Sequence, residues 1–390
     1  MITREITLKA LSLAEKFPII VVTGPRQSGK STLVKSLFPQ KPYVSLEDPD
    51  IRLFAESDPR LFLSNYPNGA VIDEAQRVPK LFSYLQGIVD AKNEEGLFIL
   101  SGSQNFLLLE SITQSLAGRA ALLKLLPFSI QELEATEFKG MAINQLIFKG
   151  LYPRLYDKKI EPTDYYPNYI QTYLERDVKT LKNISDLNVF TRFLKLCAAR
   201  IGTVLNYSSL ANDCGVAVNT IKSWISILEA SYVLYLLPPY YQNIGKRLIK
   251  SPKIYFYDTG LACALLNIRS EEQVQNHYLR GGLFENLVLS EVLKHYFNQG
   301  RTAPCSFWQD QTGREIDLII ENTEGGLTAI EIKSGMTVGS EYFKNLKYWQ
   351  KLNPEAPNNK SCVVYAGPLT TETADGTLVR FSDLRKMLND

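Results

Sequence analysis

A glycine-rich run at residues 24–31 has the residue types that bind phosphate groups in proteins. Gly24 and Gly29 permit a tight turn in which successive backbone N–H groups face an anion. Lys30 would contact the β- and γ-phosphates, and Ser31 would supply a hydroxyl to Mg²⁺. A chance glycine turn is the alternative, but the apolar run before the loop and the helical pattern after it argue against it. The predicted nucleotide-binding residues are Gly24, Pro25, Arg26, Gln27, Ser28, Gly29, Lys30, Ser31 and Thr32.

A pair of acidic residues follows the small and apolar run at residues 69–72. An acid at the end of a buried strand, close to a phosphate-binding loop, can hold a magnesium ion through its water shell, and we predict this role for Asp73. Glu74 is then the natural base for the water that attacks the γ-phosphate. An acidic pair that simply ends a strand is the alternative, and the preceding loop weakens it. The sequence therefore predicts ATP and Mg²⁺ as ligands.

Polar residues follow the next apolar run, residues 97–100, and one of them is expected to sense the γ-phosphate. The candidates are Ser103, Gln104 and Asn105, and the sequence does not choose between them. Arg119 ends the following helical segment and resembles the finger that AAA+ subunits insert into a neighbour's ATP site. A helix-end arginine that complements the dipole of its own helix is the alternative.

The elements that must position these residues are short apolar runs alternating with helical patterns. Continuous apolar strands separated by helices predict an α/β fold with a parallel sheet covered on both faces. A strand between the loop and the acidic pair resembles the arrangement in AAA+ proteins. A small helical lid should follow the sheet, where Arg154 is either a sensor of the nucleotide or a turn residue. The five strands are expected at residues 18–22, 43–46, 70–72, 97–100 and 121–125.

A second group of charged residues lies in the last third of the chain. Asp317, Glu331 and Lys333 match the Asp…Glu-x-Lys core of the PD-(D/E)xK nucleases, with Ile316 in place of the usual proline. Strand alternation puts Glu331 and Lys333 on one face. Asp317 and Glu331 would hold Mg²⁺, Lys333 would orient a water, and Glu285 is a candidate third acid. Charge pairing on an exposed face is the alternative, and a nuclease fold can also keep these residues for binding alone.

Residues 204–257 have the outline of a winged helix. Two helical segments meet at Gly215, with N-caps expected at Ser208 and Asn219, and two strands then flank a basic loop. Basic side chains on such a unit predict contact with DNA phosphates, while a plain three-helix packing unit is the alternative. The candidate DNA-binding residues are Lys222, Lys246, Arg247 and Lys250.

Composition excludes several other classes of function. The chain has 43 Lys+Arg against 41 Asp+Glu, so a nucleic-acid surface must be a local patch. Five cysteines without a CxxC pair argue against a zinc site and a disulfide framework, and favour a reducing cytoplasm. Two histidines make a Ser-His triad or a His-rich metal site a poor explanation. We expect neither a signal peptide nor a membrane span.

A chain of 390 residues is too long for one ordinary core, so several domains are expected. We predict a AAA+-like P-loop ATPase core at residues 1–128 and a lid at 129–164. A helical and winged-helix region should follow at 165–265, and a PD-(D/E)xK nuclease-like, restriction-endonuclease-like domain at 266–390.

Taken together, these motifs resemble a family of prokaryotic AAA+-like ATPases with a C-terminal winged helix and a PD-(D/E)xK nuclease-like domain of unassigned role. The resemblance spans nearly the full chain and implies a cytoplasmic ATPase, without fixing its biological role. It rests on residues 24–31, 71–76, 101–104, 173–177, 250–253, 257–260 and 331–335.

Three functions stay open at this point. The first is a Mg²⁺-dependent ATPase coupled to the binding or remodelling of nucleic acid, most simply DNA. The second is an ATP-regulated, Mg²⁺-dependent nuclease, and the third is a nucleotide-gated switch without rapid turnover. A finger arginine that acts on a neighbouring subunit would require a homo-oligomer, such as a ring.

Overall fold

The first sheet of the protein is parallel, and its strands are short and apolar. A computed structural model describes residues 2–103, 115–174, 186–241, 251–322, 325–352 and 359–389. The N-terminal part comprises α1 (Thr7–Ala14), β1 (Ile19–Thr23), α2 (Lys30–Leu37), β2 (Tyr43–Ser45), α3 (Pro49–Ser57), α4 (Pro59–Ser64), β3 (Val71–Asp73), α5 (Leu81–Lys92), β4 (Phe98–Gly102) and β5 (Ala120–Lys124).

The strand order of this sheet is β2-β3-β4-β1-β5, and every neighbouring pair is parallel. All five residues of β1 are buried, because helices cover both faces of the sheet. Thr23 pairs with Gly102, and Asp73 pairs with Ser101, so the carboxyl ends of β1, β3 and β4 meet at one edge. The predicted five-stranded parallel sheet of a P-loop fold is thus confirmed.

The middle of the chain is mostly helical. It comprises α6 (Ile130–Glu134), α7 (Ile143–Lys149), α8 (Pro153–Asp157), α9 (Pro162–Tyr169), a π-helical turn (Ile170–Leu174), α10 (Leu187–Ala198), α11 (Tyr207–Cys214), α12 (Val218–Ala230), β6 (Leu234–Leu237) and β7 (Lys253–Phe256). Strands β6 and β7 form an antiparallel pair.

Helices α11 and α12 begin two residues earlier than the sequence suggested. Asn206 is the N-cap of α11, because its side chain accepts the Ser209 N–H at 2.9 Å, and Ser208 therefore lies inside the first turn. Ala217 is the N-cap of α12, so the prediction of Asn219 is wrong as well. Gly215 ends α11 in the left-handed region at φ 71°, as a turn residue should.

The last third of the chain builds a mixed sheet. Its elements are α13 (Thr259–Leu265), α14 (Glu271–Asn276), α15 (Arg280–Asn298), β8 (Cys305–Gln309), β9 (Glu315–Glu321), β10 (Leu327–Lys333), α16 (Lys344–Leu352), β11 (Lys360–Tyr365), β12 (Thr371–Thr373), β13 (Gly376–Arg380) and α17 (Leu384–Asn389). The strand order is β12-β13-β11-β10-β9-β8. Strand β10 runs parallel to β11 and antiparallel to β9.

The hydrophobic core is continuous beyond the first sheet. Most buried apolar residues between Leu126 and Leu384 form one cluster that includes side chains of the predicted lid, of α10–α12 and of the second sheet, while Ile316, Ile319 and Val363 belong to a separate cluster of that sheet. Two other clusters lie on the two faces of β1, one with Ile19 and Val21 and one with Ile20 and Val22. Side chains on both sides of each predicted domain boundary pack together in the first of these clusters, so the core does not divide at these positions. The predicted boundaries therefore stay predictions. No helix in the described ranges has the length and apolar character needed to cross a membrane.

Candidate nucleotide-binding site

The loop between β1 and α2 has a backbone that only certain residues adopt. Gly24 has φ 147°, and a Cβ atom there would lie 2.1 Å from the Leu125 carbonyl oxygen, so only glycine fits. Gly29 caps α2 with φ 93°, and Gln27 also lies at positive φ, at 62°. The loop therefore turns tightly and ends at the N-terminus of a helix, the arrangement that binds phosphate.

Lys30 is buried within this loop, with 6% of the residue exposed. Its Nζ donates to the carbonyl oxygens of Gly24 at 3.0 Å and Pro25 at 2.7 Å. Burial lowers the pKa of Lys30 to about 8, although the nearby carboxylates of Glu74 and Asp73 act in the opposite direction. An anion beside the ammonium would favour its charged form, so this lysine is suited to a phosphate ligand.

Three hydroxyl groups donate hydrogen bonds to the Asp73 carboxylate. Ser31 Oγ and Tyr43 OH each donate to Asp73 Oδ2 at 2.6 Å, and Ser101 Oγ donates to Asp73 Oδ1 at 2.5 Å. Burial, followed by the Asp73 carboxylate, raises the pKa of Tyr43 above its ordinary value, so its hydroxyl stays a donor. Ser31 and Asp73 are adjacent oxygen donors of the kind that Mg²⁺ prefers, and the predicted pair fits that ion.

Glu74 has a left-handed backbone conformation, and one of its two carboxylate oxygens accepts both of its side-chain hydrogen bonds. It lies in the left-handed region at φ 55°, at the start of a short 3₁₀ turn (Ala75–Arg77). Its Oε2 accepts from Gln76 Nε2 at 2.6 Å and from Ser103 Oγ at 3.3 Å. Ser103 thus contacts the predicted base, while Gln104 and Asn105 lie outside the described residues.

Arg4 is a site residue that the sequence did not reveal. It is 7% exposed, and its guanidinium donates to the Ser28 carbonyl at 2.8 Å and to the Leu126 carbonyl at 2.6 Å. Its Nε pairs with Glu132 Oε1 at 3.0 Å, and the group lies over the Phe128 ring. One arginine therefore ties the phosphate-binding loop to the segment after β5. An isolated arginine near an N-terminus carries no local pattern that would have revealed this.

Glu5, next to Arg4, extends the same network into the last third of the chain. Its Oε2 accepts from Ser129 Oγ at 2.8 Å and from Asn298 Nδ2 at 3.1 Å, and its Oε1 pairs with Arg385. Residues 4 and 5 thus connect the loop with α15 and α17.

Thr23, the residue before the loop, contacts the middle of the chain. Its Oγ1 donates to the Leu123 carbonyl at 3.2 Å and lies 2.8 Å from the hydroxyl of Tyr232, which follows α12. Since the threonine hydrogen is directed to Leu123, Tyr232 is the donor of this contact. The end of β1 and the end of α12 are therefore joined by buried hydroxyl groups.

Arg119 and Arg154, the two arginines predicted to act on nucleotide, differ in their distance from the phosphate-binding loop. Ile19 N donates to the Arg119 carbonyl at the amino end of β1, roughly 16 Å along the strand from the loop. Asp90 holds the Arg119 guanidinium through two contacts of 2.5 and 2.8 Å. Arg154 is exposed on α8 and pairs with no carboxylate in the described ranges. Its neighbour Pro153 lies 3.9 Å from the Cβ position of Gly29, so α8 lies beside the loop.

Of the candidate DNA-binding residues, only Lys222 lies within the described part of the chain. It is exposed on α12, with its Nζ 5.8 Å from the centre of the Tyr207 ring on α11. Lys246, Arg247 and Lys250 lie outside the described residues, in the connection between β6 and β7.

The second charged group is a buried cluster, and it contains a lysine that the prediction missed. Lys253 on β7, 1% exposed, lies with its Nζ 3.3 Å from Glu285 Oε1 and 2.9 Å from Glu315 Oε1. Tyr255 also donates to Glu285. Burial opposes the charge on Lys253, but Glu285, Asp317 and Glu315 outweigh it and raise the pKa of the lysine.

Lys333 occupies the other end of this cluster. Its Nζ lies 2.5 Å from Glu331 Oε2 and 3.9 Å from Asp317 Oδ2, and Asp317 also accepts the Ile332 N–H at 2.7 Å. Glu331 is 1% exposed, so the alternative of charge pairing on an exposed face does not describe this carboxylate.

Four carboxyl groups thus face two ammonium groups: Glu285, Glu315, Asp317 and Glu331 against Lys253 and Lys333. Burial and the charge of Asp317 raise the pKa of Glu285 to about 8 and that of Glu331 to about 7. The protonated forms of these two glutamates are therefore favoured, which reduces the excess of negative charge in the cluster. Within the described ranges, no three His, Cys, Asp or Glu side chains are grouped so that they could hold a metal ion.

The parallel sheet, the loop and the acidic pair define the class of this protein as a P-loop nucleotide-binding protein of the AAA type. Three family models match the chain: "AAA domain" at residues 16–134, "Domain of unknown function (DUF8612)" at 141–272 and "Domain of unknown function (DUF4143)" at 280–384.

Two curated relatives are the "Uncharacterized protein Rv2008c" of Mycobacterium tuberculosis and the "Uncharacterized protein Mb2031c" of Mycobacterium bovis. Each is 30% identical to the chain over 323 residues, which cover 82% of this chain and 71% of the relative. The chain belongs to their family, a family of AAA-type P-loop ATPases whose C-terminal domain has no assigned function. The predicted family is thereby confirmed, and the nuclease-like nature of the C-terminal domain stays a prediction.

Similar solved structures include "The walker-type atpase paby2304 of pyrococcus abyssi", with 15% identity and a TM-score of 0.43, covering 68% of this chain and 96% of that chain. AMPPCP-bound DnaA from Aquifex aeolicus has 15% identity and a TM-score of 0.32, covering 58% and 86%. Both TM-scores are below 0.5, a level that supports no functional conclusion.

Proposed function

We propose that the protein hydrolyses ATP with Mg²⁺ and couples this reaction to nucleic acid, most simply DNA, bound by its C-terminal half. The observation that carries the proposal is the contact of Ser31 with Asp73 at 2.6 Å, beside Glu74 and the phosphate-binding loop. Lys30, Ser31, Asp73 and Glu74 lie at one edge of the sheet, and this proximity supports their proposed roles as phosphate-binding lysine, magnesium ligands and base.

Each residue has a defined part in this reaction. The loop amides and Lys30 bind the β- and γ-phosphates, and Ser31 and Asp73 would hold the ion. Mg²⁺, when bound, neutralises charge that develops on the phosphate oxygens. Glu74 accepts a proton from the attacking water, and Ser103 orients the Glu74 carboxylate through Oε2. Arg4 holds the back of the loop by its contact with the Ser28 carbonyl.

The coupling to nucleic acid is supported by two observations. Helices α10–α12 are followed by the β6–β7 pair, which is the order of elements in a winged helix, and Lys222 is exposed on α12. The Tyr232 hydroxyl at the end of α12 lies 2.8 Å from Thr23, which directly precedes the loop. A shift of the loop on hydrolysis would therefore move a residue adjacent to the proposed DNA-binding helix.

Arg119 supports assembly into a homo-oligomer. It lies at the opposite edge of the sheet from its own loop, so it can reach an ATP site only on a neighbouring subunit. To do so it must leave Asp90. A protein that stays monomeric at every nucleotide state would exclude this role.

Two alternatives are separated by simple assays. A Mg²⁺-dependent nuclease rests on the proximity of Asp317, Glu331 and Lys333, whose ion pairs would have to open to admit Mg²⁺, and it requires cutting of DNA that is lost in Lys333→Ala. A nucleotide-gated switch requires nucleotide that stays bound through purification with negligible turnover.

The decisive experiment measures ATP hydrolysis by the full chain with and without duplex DNA. Lys30→Ala should abolish turnover, and Glu74→Gln should lower kcat by about 10²–10⁴-fold with ATP still bound. The exposed substitutions Lys16→Ala and Glu56→Gln are matched controls and should behave as the wild type. Unchanged turnover in Lys30→Ala would refute ATP hydrolysis at this site. Turnover that DNA does not alter, together with no DNA binding at low salt, would refute the coupling.

A further inference from the structure

Gln76 lies beside the predicted base and has no part in the reaction as described so far. It is 5% exposed, and its Nε2 donates to Glu74 Oε2 at 2.6 Å. A carboxylate only accepts hydrogen bonds, so the amide nitrogen must face Glu74 and the amide oxygen must face the other way. That oxygen, Oε1, is buried and accepts no hydrogen bond from the described residues.

The two oxygens of Glu74 have different surroundings. Both donors, Gln76 Nε2 and Ser103 Oγ, contact Oε2. Oε2 is thus anchored, and Oε1 accepts no hydrogen bond from a side chain in the described ranges. A free carboxylate oxygen and a free amide oxygen, on side chains that already contact each other, form a pair of acceptors.

A buried acceptor without a partner costs about 1–3 kcal/mol, a cost that a donating ligand can offset. Water has two hydrogens, and a water held by both of them leaves its lone pair free to attack. Since Gln76 Oε1 is closed to solvent in this structure, a small rotation of the side chain must admit a water, and the attacking water of ATP hydrolysis is then the donor that suits both oxygens.

We propose that Gln76 is a positioning residue that orients the attacking water together with Glu74; this inference rests on the proposed ATP hydrolysis. One hydrogen of the water is directed to Glu74 Oε1 and the other to Gln76 Oε1. The water oxygen bonds to the γ-phosphorus as its proton passes to Glu74 Oε1. The bond between the γ-phosphorus and the bridging oxygen breaks, and its electron pair stays on the β-phosphate of ADP.

The opposite role, a brake in which Gln76 holds Glu74 in an inactive position, predicts the opposite sign. Removal of a brake raises kcat, whereas removal of a positioning group lowers it. The sign of the change in kcat therefore separates the two roles.

The test compares Gln76→Leu and Gln76→Asn with the wild type, with Gln40→Leu, an exposed glutamine after α2, as the matched control. We measure kcat, KM, thermal stability and the affinity for a non-hydrolysable ATP analogue. Gln76→Leu should lower kcat on the order of 10²-fold, because misplacement of a reacting group by about 1 Å has that effect. Its affinity for the analogue should stay within about twofold, since Gln76 would contact water and not phosphate.

Gln76→Asn should lower kcat as well, because the side chain is one methylene shorter and cannot contact Glu74 and the water together. Ser103→Ala should have a smaller effect than either, since it removes an anchor and no water contact. An unchanged or raised kcat in Gln76→Leu would overturn the inference, as would a fall in kcat matched by an equal loss of analogue affinity. Absence of turnover in the wild type would instead refute the proposed hydrolysis itself.

Discussion

The phosphate-binding loop and the C-terminal charge cluster both bury a lysine near carboxylates, but they use it differently. Lys30 donates to backbone carbonyls, and the acids of its site are hydrogen-bonded by hydroxyl and amide groups. Lys253 contacts two carboxylates directly. The first site keeps its charges available for a ligand, whereas the second compensates its charges internally. The same residue types therefore indicate a ligand site only when their charges are not already paired with each other.

Replacement of each lysine by methionine tests this difference most strongly. Lys253→Met should destabilise the fold by about 3–5 kcal/mol at pH 8.5, because it leaves the largely buried Glu285 without its cation, whereas Glu315 is half-buried and keeps contact with water. Lys30→Met should change stability by no more than about 1 kcal/mol, since the loss of two hydrogen bonds is offset by relief of a buried charge. Urea unfolding of both variants measures these values. Equal losses in the two variants would remove the distinction between the sites.

A smaller effect is expected in the pH dependence of stability, which should come from the C-terminal charge cluster. The raised pKa values of Glu285, about 8, and Glu331, about 7, mean that the folded protein keeps protons that the unfolded chain releases near pH 4.5. Their contribution to stability is therefore complete below about pH 4.5 and is lost as pH rises through 7 to 8.

Glu285→Gln removes one of these titrations while keeping an acceptor for Tyr255 and Lys253. The variant should lose less stability than the wild type between pH 5 and 8.5, by more than about 1 kcal/mol. Urea midpoints at the two pH values give the difference. A wild type whose stability does not fall over this range would show that the cluster holds no excess protons.

The smallest effect is expected at the contact between Thr23, at the end of β1, and Tyr232, in the segment after α12. Tyr232→Phe removes one hydroxyl and should cost about 1 kcal/mol, because Thr23 keeps its bond to Leu123. Basal ATP hydrolysis should stay near the wild-type rate, while stimulation by DNA should be reduced. Tyr235→Phe, on β6, is the matched control, because its ring packs against the same Tyr257 ring as Tyr232, while the hydroxyl that contacts Thr23 belongs to Tyr232. Full stimulation in Tyr232→Phe would exclude this contact as the route of coupling.

The sequence revealed those features that are local in the chain. The loop at 24–31 and the pair Asp73 and Glu74 each follow an apolar strand, and residue type and spacing together identified them. The parallel sheet followed from the alternation of strands and helices. Each of these signals depends on neighbours within a few residues.

The contacts that were missed join distant parts of the chain. Arg4 pairs with Glu132, Tyr232 contacts Thr23, and Lys253 lies between acids from two later elements. A single residue with a partner more than 30 positions away leaves no periodic pattern. Gln76 is different, since it is two positions from Glu74, but its role depends on the direction of its amide, which sequence alone does not give.

The contacts of Glu5 have a consequence for the order in which the protein folds. Its carboxylate is bonded to Ser129, 124 residues away, and to Asn298, 293 residues away. During synthesis the first sheet emerges early, but the partners in α15 and α17 emerge only after a further stretch of more than 150 residues has been made. Contacts of such high sequence separation form slowly, because a long loop must close first. We therefore expect the nascent ATPase core to lack these contacts until the last third of the chain has left the ribosome. On a ribosome stalled near residue 290, proteases should cut this core more readily than they cut the same core in the full chain.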